Sequence, residues 1–321
     1  MGVIGVIFES RPDALVQIAT LCLKSANGVL LKGGSEAAST NQILARIVHD
    51  ACVEHNAPKG WLGLLETRDD VEELLKMEKD VDLLIPRGSN AFVQYIMKHT
   101  LIPVLGHADG ICHLYIDKEA DPAMAVKLAV DSKCQYVAVC NAVETILIHK
   151  DAAKSILPEL ARELASRGVK MMGCPATCAV IDIMPASQED WQTEYLDYMV
   201  SIRTVDSMDA AISHINTYGS GHTDVIVTKN RQRAESFMNM TDTADAFWNC
   251  SSRFADGYRF GLGAEVGIST NKLHARGPVG LEGLMTFQWR LAGNGQCVAD
   301  YVLPGTRSFS HIPLNKQFLS Q

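Results

Sequence analysis

Apolar positions along the chain fall in short blocks that alternate with longer stretches of helical periodicity. Val3–Phe8 carries no charge, and Pro12-Asp13 then opens an amphipathic stretch that runs to about Ser25 and stops near Gly28. Residues 29–31 form the next apolar block, followed by Gly33-Gly34 and by a helix that Ser35 would cap and that extends to about Glu54. The unit repeats with a strand at 62–65 and a helix at 70–77, then a strand at 81–85, a helix at 89–99 and a strand at 102–104. Strands that are apolar on both faces and separated by amphipathic helices predict a parallel sheet covered on both sides.

The alternation restarts after Gly106 to Gly110. Strands are expected at 111–116, 145–149, 200–205, 225–228 and 246–248, with helices at 123–133, 152–167, 207–218 and Arg231–Met240 between them. The expected fold class is therefore α/β, with two doubly wound domains in series over residues 1–108 and 109–283. Residues 284–321 read as an extended ribbon around Gly293-Asn294-Gly295. An isolated ribbon is marginally stable, so this one should pair with another domain or subunit, which points to a homo-oligomer. Because the chain opens on a core strand with nothing ahead to cover it, a further N-terminal segment is expected.

A length of 321 residues suits two domains, and 47% hydrophobic against 21% charged residues is the balance of a globular protein with a large core. The net charge of −8 lacks the basic footprint of a nucleic-acid binder. It also means that an anionic substrate must be met by local Arg, Lys, His or backbone N–H groups, since the global field opposes it. Nine cysteines, an odd number without a CxxC pair, indicate neither a disulfide framework nor a zinc ribbon and fit a reducing, cytoplasmic compartment. No apolar run approaches the roughly 20 residues of a membrane helix. The opening as read says little about targeting, so an organellar address is compatible.

Several segments carry candidate chemistry. Gly261-Leu262-Gly263-Ala264-Glu265-Val266-Gly267 places its last glycine one position too late for a dinucleotide fingerprint and lies far from the first sheet, so it reads as a loop shaping a wall. Lys32-Gly33-Gly34-Ser35 stands at the carboxyl end of the second strand, where a lysine can hold an adenosine ribose or a 2′-phosphate and a helix start offers free N–H groups. Its bland reading is a surface lysine before a glycine turn. Arg87-Gly88-Ser89 is a second anion-friendly helix start. Cys140 sits on a loop at the expected domain junction, although spacing alone does not separate it from a packing thiol. His107, Cys112 and His113 match no metal-site spacing, and no metal is expected.

Taken in order, Val6-Ile7-Phe8-Glu9-Ser10-Arg11-Pro12, Lys32-Gly33-Gly34-Ser35-Glu36, Ile85-Pro86-Arg87-Gly88-Ser89, Gly106-His107-Ala108-Asp109-Gly110, Cys140-Asn141-Ala142, Ser252-Arg253-Phe254 and His274-Ala275-Arg276-Gly277-Pro278-Val279-Gly280 resemble the γ-glutamyl phosphate reductases of the aldehyde dehydrogenase superfamily. The likeness extends from Gly2 to about Gly295 and is strongest to the reductase half of delta-1-pyrroline-5-carboxylate synthases. It implies NADPH-dependent reduction of L-glutamyl 5-phosphate to L-glutamate 5-semialdehyde in proline biosynthesis, with a fused or associated glutamate kinase activity supplying the acyl phosphate. It also implies that Cys140 is the nucleophile and forms a thioester, which accepts hydride far better than a carboxylate.

On the same resemblance, Arg11 stands where related enzymes keep an oxyanion-hole asparagine, and Asn141 adjoins the nucleophile. Lys32, Gly33 and Ser35 would hold the adenosine side of the cofactor, Arg87, Gly88 and Ser89 its phosphates, and Glu194 the nicotinamide ribose. Lys32-x-x-Ser35 replaces the Lys-x-x-Glu of NAD-preferring relatives, which admits a 2′-phosphate. Ser252, Arg253, His274 and Arg276 are candidates, by charge and position, for the glutamyl amino and carboxylate groups. Val104 stands where hydrolytic aldehyde dehydrogenases carry a water-activating glutamate, which speaks against the hydrolytic alternative. The chain departs from the family in lacking its N-terminal helices and in reading Tyr136-Val137-Ala138-Val139-Cys140 where a proline usually follows the tyrosine. These departures motivate a third reading, an inactive fragment or interaction module.

Overall fold

The computed structural model describes residues 1–9, 12–106, 109–272, 275–302 and 307–313. Arg11, His107 and His274, singled out above, lie outside the described residues.

The first sheet contains β1 (Val3–Phe8), β2 (Gly28–Lys32), β3 (Leu62–Leu64) and β4 (Leu83–Arg87) in the spatial order β3-β2-β1-β4, all parallel. Period-two alternation sends Ile4, Val6 and Phe8 to one face and Ile7 to the other. Helix α1 (Pro12–Lys24) buries Ala14, Leu15, Ile18 and Cys22 against the first face, and α2 (Ala38–Glu54) adds Ala45. Leu74 from α3 (Arg68–Leu74) and Ile96 from α4 (Asn90–Lys98) cover the second.

Two expectations shift here. Ser35 opens a short 3₁₀ turn, Ser35–Ala37, and α2 begins only at Ala38. The strand expected at 102–104 shrinks to an isolated bridge between Leu84 and Val104. Leu84 N–H donates to Pro103 O and Leu105 N–H donates to Leu84 O. The next donor along β4 would be Pro86, which has no N–H, so the ladder ends there.

The second sheet is larger and also fully parallel. It contains β5 (Cys112–Ile116), β6 (Val143–His149), β7 (Lys170–Gly173), β8 (Met184–Pro185), β9 (Met199–Val205), β10 (Thr223–Val227) and β11 (Asp245–Trp248), in the order β11-β10-β5-β6-β9-β7-β8. Helices α5 (Pro122–Cys134) and α6 (Lys150–Ala165) pack on one face through Ala129, Ile156 and Leu160. The helices α8 (Met208–Tyr218) and α9 (Arg231–Met240) pack on the other through Ile212, Ile215 and Phe237. β7, β8 and the one-turn helix α7 (Pro175–Cys178) were not visible in the sequence, because short edge elements carry no long apolar run.

Residues 251–255 after β11 pack against α5 and the loop that precedes β6, but the chain from Val266 leaves the second sheet. The antiparallel pair β12 (Gly267–Ser269) and β13 (Gly277–Val279) places Val266, Ala275 and Val279 in the core of the first sheet, together with Leu284. Asn27 Nδ2 donates to Leu284 O at 2.8 Å. This stretch belongs by packing with residues 1–108, although its sequence position groups it with 109–283. Gly277 adopts φ +80°, a left-handed conformation that favours glycine.

Met1–Thr286 forms one compact unit and Phe287–Gln321 a separate one. Among the described residues of the latter there is no strand, only the short helix α10 (Ala299–Val302). Asn294 N–H turns back to Gln296 Oε1, and Phe287, Trp289 and Leu291 are exposed. The ribbon expected over 284–321 is not seen among the described residues. No described helix is long and apolar enough to cross a membrane.

Candidate active site

The order β3-β2-β1-β4 reverses direction between β1 and β4. In open parallel sheets the crevice outside the carboxyl ends of two such strands is a natural ligand site. A cleft of about 530 Å³ opens there, lined by Phe8 and Glu9 after β1 and by Arg87, Gly88 and Ser89 after β4. It is lined as well by the loop between α5 and β6, with Cys140 and Asn141, and by Glu194, Arg253, Asp256 and Glu265.

Cys140 is half-buried and carried on a loop, but the loop is held along its length. A Cβ at Gly110 would lie 2.2 Å from Cys140 O and 2.4 Å from its Cα, so the two backbones are in direct contact. The Cys112 thiol donates to Cys140 O at 3.1 Å. Ser252 Oγ donates to Asn141 O at 2.6 Å, and Asn141 Nδ2 donates to Ala255 O at 2.8 Å. At the base of the loop Lys133 Nζ meets Glu144 Oε2 at 2.6 Å, both side chains fully buried. Glu144 Oε1 also accepts from Leu196 N–H at 3.3 Å, which ties the nucleophile loop to the segment bearing Glu194. Burial pushes the Glu144 carboxyl up to about 7, with Lys133 offsetting part of that rise. The loop that lacks the proline therefore has six other restraints.

The cleft is electrostatically mixed. Arg253 Nε donates to Gln135 Oε1 at 2.9 Å, and burial together with neighbouring Arg259 lowers the pKa of its guanidinium. Glu265 Oε2 accepts from Gly257 N–H at 2.8 Å, and burial raises its carboxyl above the usual range. Ser89 N–H, at the start of α4, donates to Glu9 Oε2 at 3.0 Å.

Cys140, Asn141, Arg87, Gly88, Ser89, Glu194 and Arg253 are thus brought together around one cleft. Lys32, Gly33 and Ser35 lie beside it on the same sheet edge, Lys32 pairing in register with Ile7, and Lys32 Nζ donates to Gly33 O at 2.6 Å. Ser252 and Arg276 do not line it. Ser252 is fully buried and spends its hydroxyl on Asn141 O, so it supports the nucleophile loop and has no surface for a substrate. Arg276 Nη2 pairs with Asp242 Oδ1 at 3.0 Å, and Asp242 is bridged in turn to Lys272. Val104 packs with the apolar cluster around Ile7 and Leu84 instead of lining the cleft, and it supplies no carboxylate. The sequence reading missed Glu9, Asp256 and Glu265, and it quoted Gly110 without a role. For Glu265 the available signal was a single carboxylate inside an otherwise glycine-rich and apolar loop.

The donor set suits a nicotinamide dinucleotide. At the start of α4 Ser89 N–H is held by Glu9 Oε2, and a Cβ at Gly88 would come within 2.5 Å of that same oxygen, so a phosphate bound there would take the place of this carboxylate.

The aldehyde dehydrogenase family model matches residues 2–176. The γ-glutamyl phosphate reductase of Acetivibrio thermocellus is 60% identical over 318 residues, which are 99% of this chain and 74% of that protein. The crystal structure of the γ-glutamyl phosphate reductase from Thermotoga maritima superposes with a TM-score of 0.90 at 39% identity, covering 92% of this chain and 72% of that one. The chain belongs to the γ-glutamyl phosphate reductase family. An acetylating aldehyde dehydrogenase from Geobacillus thermoglucosidasius shares the fold at 18% identity, with a TM-score of 0.66 over 91% of this chain and 76% of its own. As a γ-glutamyl phosphate reductase, the chain is an oxidoreductase of the aldehyde dehydrogenase family that acts on a small molecule with a nicotinamide cofactor.

Proposed function

We propose that this chain reduces L-glutamyl 5-phosphate to L-glutamate 5-semialdehyde with NADPH, releasing phosphate, and that Cys140 carries the acyl group as a thioester. The observation that supports this reading best is the placement of a half-buried thiol, fixed by its own backbone, in one cleft with Arg87 and the start of α4. The Cys140 sulfur attacks the acyl carbon; a C–S bond forms as the C–O bond to phosphate breaks. The bound cofactor supplies a hydride to the thioester. The resulting thiohemiacetal collapses, the C–S bond breaks, and Cys140 leaves as thiolate with the aldehyde released.

The chain's own groups divide the remaining work. Arg87, Gly88 and Ser89 hold the cofactor phosphates, Glu194 the nicotinamide ribose, and Lys32 with Ser35 the adenosine side, where Ser35 in place of the glutamate of NAD-preferring relatives admits the 2′-phosphate of NADPH. Gly33 keeps the turn after β2 narrow, since a Cβ there would meet Asn41 Nδ2 at 2.0 Å. Arg253 takes a substrate carboxylate. Asn141 braces the nucleophile through Ala255 O, and Arg11 would stabilise the developing oxyanion. Residues 1–108, joined by 266–284, form the cofactor-binding part, and the segment from 287 pairs in a homo-oligomer. A kinase activity, fused or separate, supplies the acyl phosphate, and a cytoplasmic location fits the free thiols.

The test is the reverse reaction with glutamate semialdehyde, phosphate and NADP. Wild type should form NADPH only with phosphate present, and Cys140→Ala should lose at least about a thousandfold in kcat while still binding NADPH. Turnover by Cys140→Ala would overturn the thioester, and phosphate-independent NADPH formation would restore the hydrolytic reading.

A further inference from the structure

The substrate read above presents a zwitterion, an α-ammonium and an α-carboxylate, at the end remote from its reacting carbon. A basic residue for the carboxylate is at hand in Arg253. The ammonium needs an acidic partner, and four carboxylates line the cleft: Glu9, Glu194, Asp256 and Glu265.

Three of these are otherwise engaged. Glu9 accepts from Ser89 N–H on the edge of the first sheet, the side assigned to cofactor. Glu194 belongs to the nicotinamide ribose on the same assignment. Asp256 accepts from Arg259 N–H at 3.1 Å, and its other oxygen stands 3.7 Å from Arg259 Nη1, so a cation already balances it.

Glu265 differs in that burial outweighs the attraction of neighbouring Arg87 and leaves its carboxyl raised. It is half-buried, and its hydrogen bond is to the backbone N–H of Gly257 through Oε2. Its mounting is firm. Val266, the next residue, is fully buried in the core of the first sheet, and Val266 N–H donates to Val279 O at 2.9 Å. Gly257 approaches so closely that a Cβ there would lie 2.8 Å from Glu265 Oε2. A carboxylate raised by burial is one whose charged form gains most from a cation brought beside it. Val266 thus anchors the strand while Glu265 faces the cleft.

We propose that Glu265 binds the α-ammonium group of the glutamyl substrate, making it a specificity determinant for an amino-acid acyl group over a plain dicarboxylic one. The inference rests on the glutamyl reading of the Cys140 site. It uses one charge-assisted hydrogen bond, and losing such a bond costs about 10- to 100-fold in kcat/KM.

The experiment compares glutamate 5-semialdehyde with its des-amino analogue, 5-oxopentanoate, in the phosphate- and NADP-dependent direction. Glu265→Gln keeps an oxygen that accepts from Gly257 N–H, and its thermal unfolding should match wild type. It should lower kcat/KM for glutamate semialdehyde about 10- to 100-fold, chiefly through KM, and leave 5-oxopentanoate within about threefold. An equal loss on both aldehydes, or no loss on either, would overturn the role of Glu265 while wild-type turnover left the function intact. A wild type inactive on glutamate semialdehyde, yet active on another aldehyde, would overturn the glutamyl reading and this inference with it.

Discussion

The two parallel sheets solve the same packing problem with different interiors. Among described residues of 1–106 the buried polar side chains are Ser25, Asn27 and Asn41, none of them ionisable. The second sheet and its helices bury His113, Asp117, Lys133, Glu144, His149, His214, His222, Asp224 and Asp245. Many of these are paired: Lys133 with Glu144, His113 Nδ1 with Asp224 Oδ1 at 3.0 Å, and Asp117 with Arg233 Nη2 at 2.6 Å. Others are held away from their ordinary charge. Burial drives His214 down to about 3, with His113 and Arg203 adding to the effect, and burial lifts Asp245 to about 6. The first sheet is an apolar platform that works only at its edge. The second builds ionisable groups into its body and uses one buried pair to brace the loop that presents the nucleophile.

That contrast can be broken most sharply at Glu144. Replacing it with Ala leaves Lys133 charged and unpaired in the interior, which should cost about 4 kcal/mol of stability in urea unfolding. A loss below about 1 kcal/mol would mean that the pair carries little of the second sheet. Leu31→Ala, in the core of the first sheet, should cost about 3 kcal/mol through its cavity. Its distinguishing mark is constancy: the loss should be the same at pH 5 and pH 8, and a clear change between them would put an ionisable group where none is seen.

The smallest effect concerns Asp245. Its folded carboxyl is raised above its ordinary value, so its contribution is fully present below about pH 4 and fades as pH rises through about 6. Asp245→Asn removes that loss. The variant should therefore gain about 2.7 kcal/mol on wild type between pH 4 and pH 8, a figure taken from a shift of roughly two pKa units. Parallel stability–pH curves for the two proteins would remove Asp245 from the account.

The elements legible in the sequence are those with long, one-sided patterns. Val3–Phe8 and Arg231–Met240 come out to the residue, since one is an unbroken apolar run and the other has its Asn230 cap. β7, β8, β12 and β13 have two to four residues each, too few for a period to show, and Gly277-Pro278 reads as loop until its partner strand is seen. The site divides along the same line. Residues after strands and at helix starts, Arg87 to Ser89, can be placed from local pattern. Ser252 and Arg276 were chosen by charge and position, and neither burial beneath Asn141 nor pairing with Asp242 across 34 residues is visible locally. The loop of Glu265 was read as one shaping a wall, and it does line the cleft, but nothing local singled out its one carboxylate.

Gly110 touches Cys140 main chain to main chain, two residues before β5 begins. The nucleophile loop is thus in contact with the chain that leads into a central strand of the second sheet, and amide exchange around Cys140 should keep pace with Cys112. Any side chain at position 110 would push this contact apart, so variation there is closed to every residue that carries a Cβ.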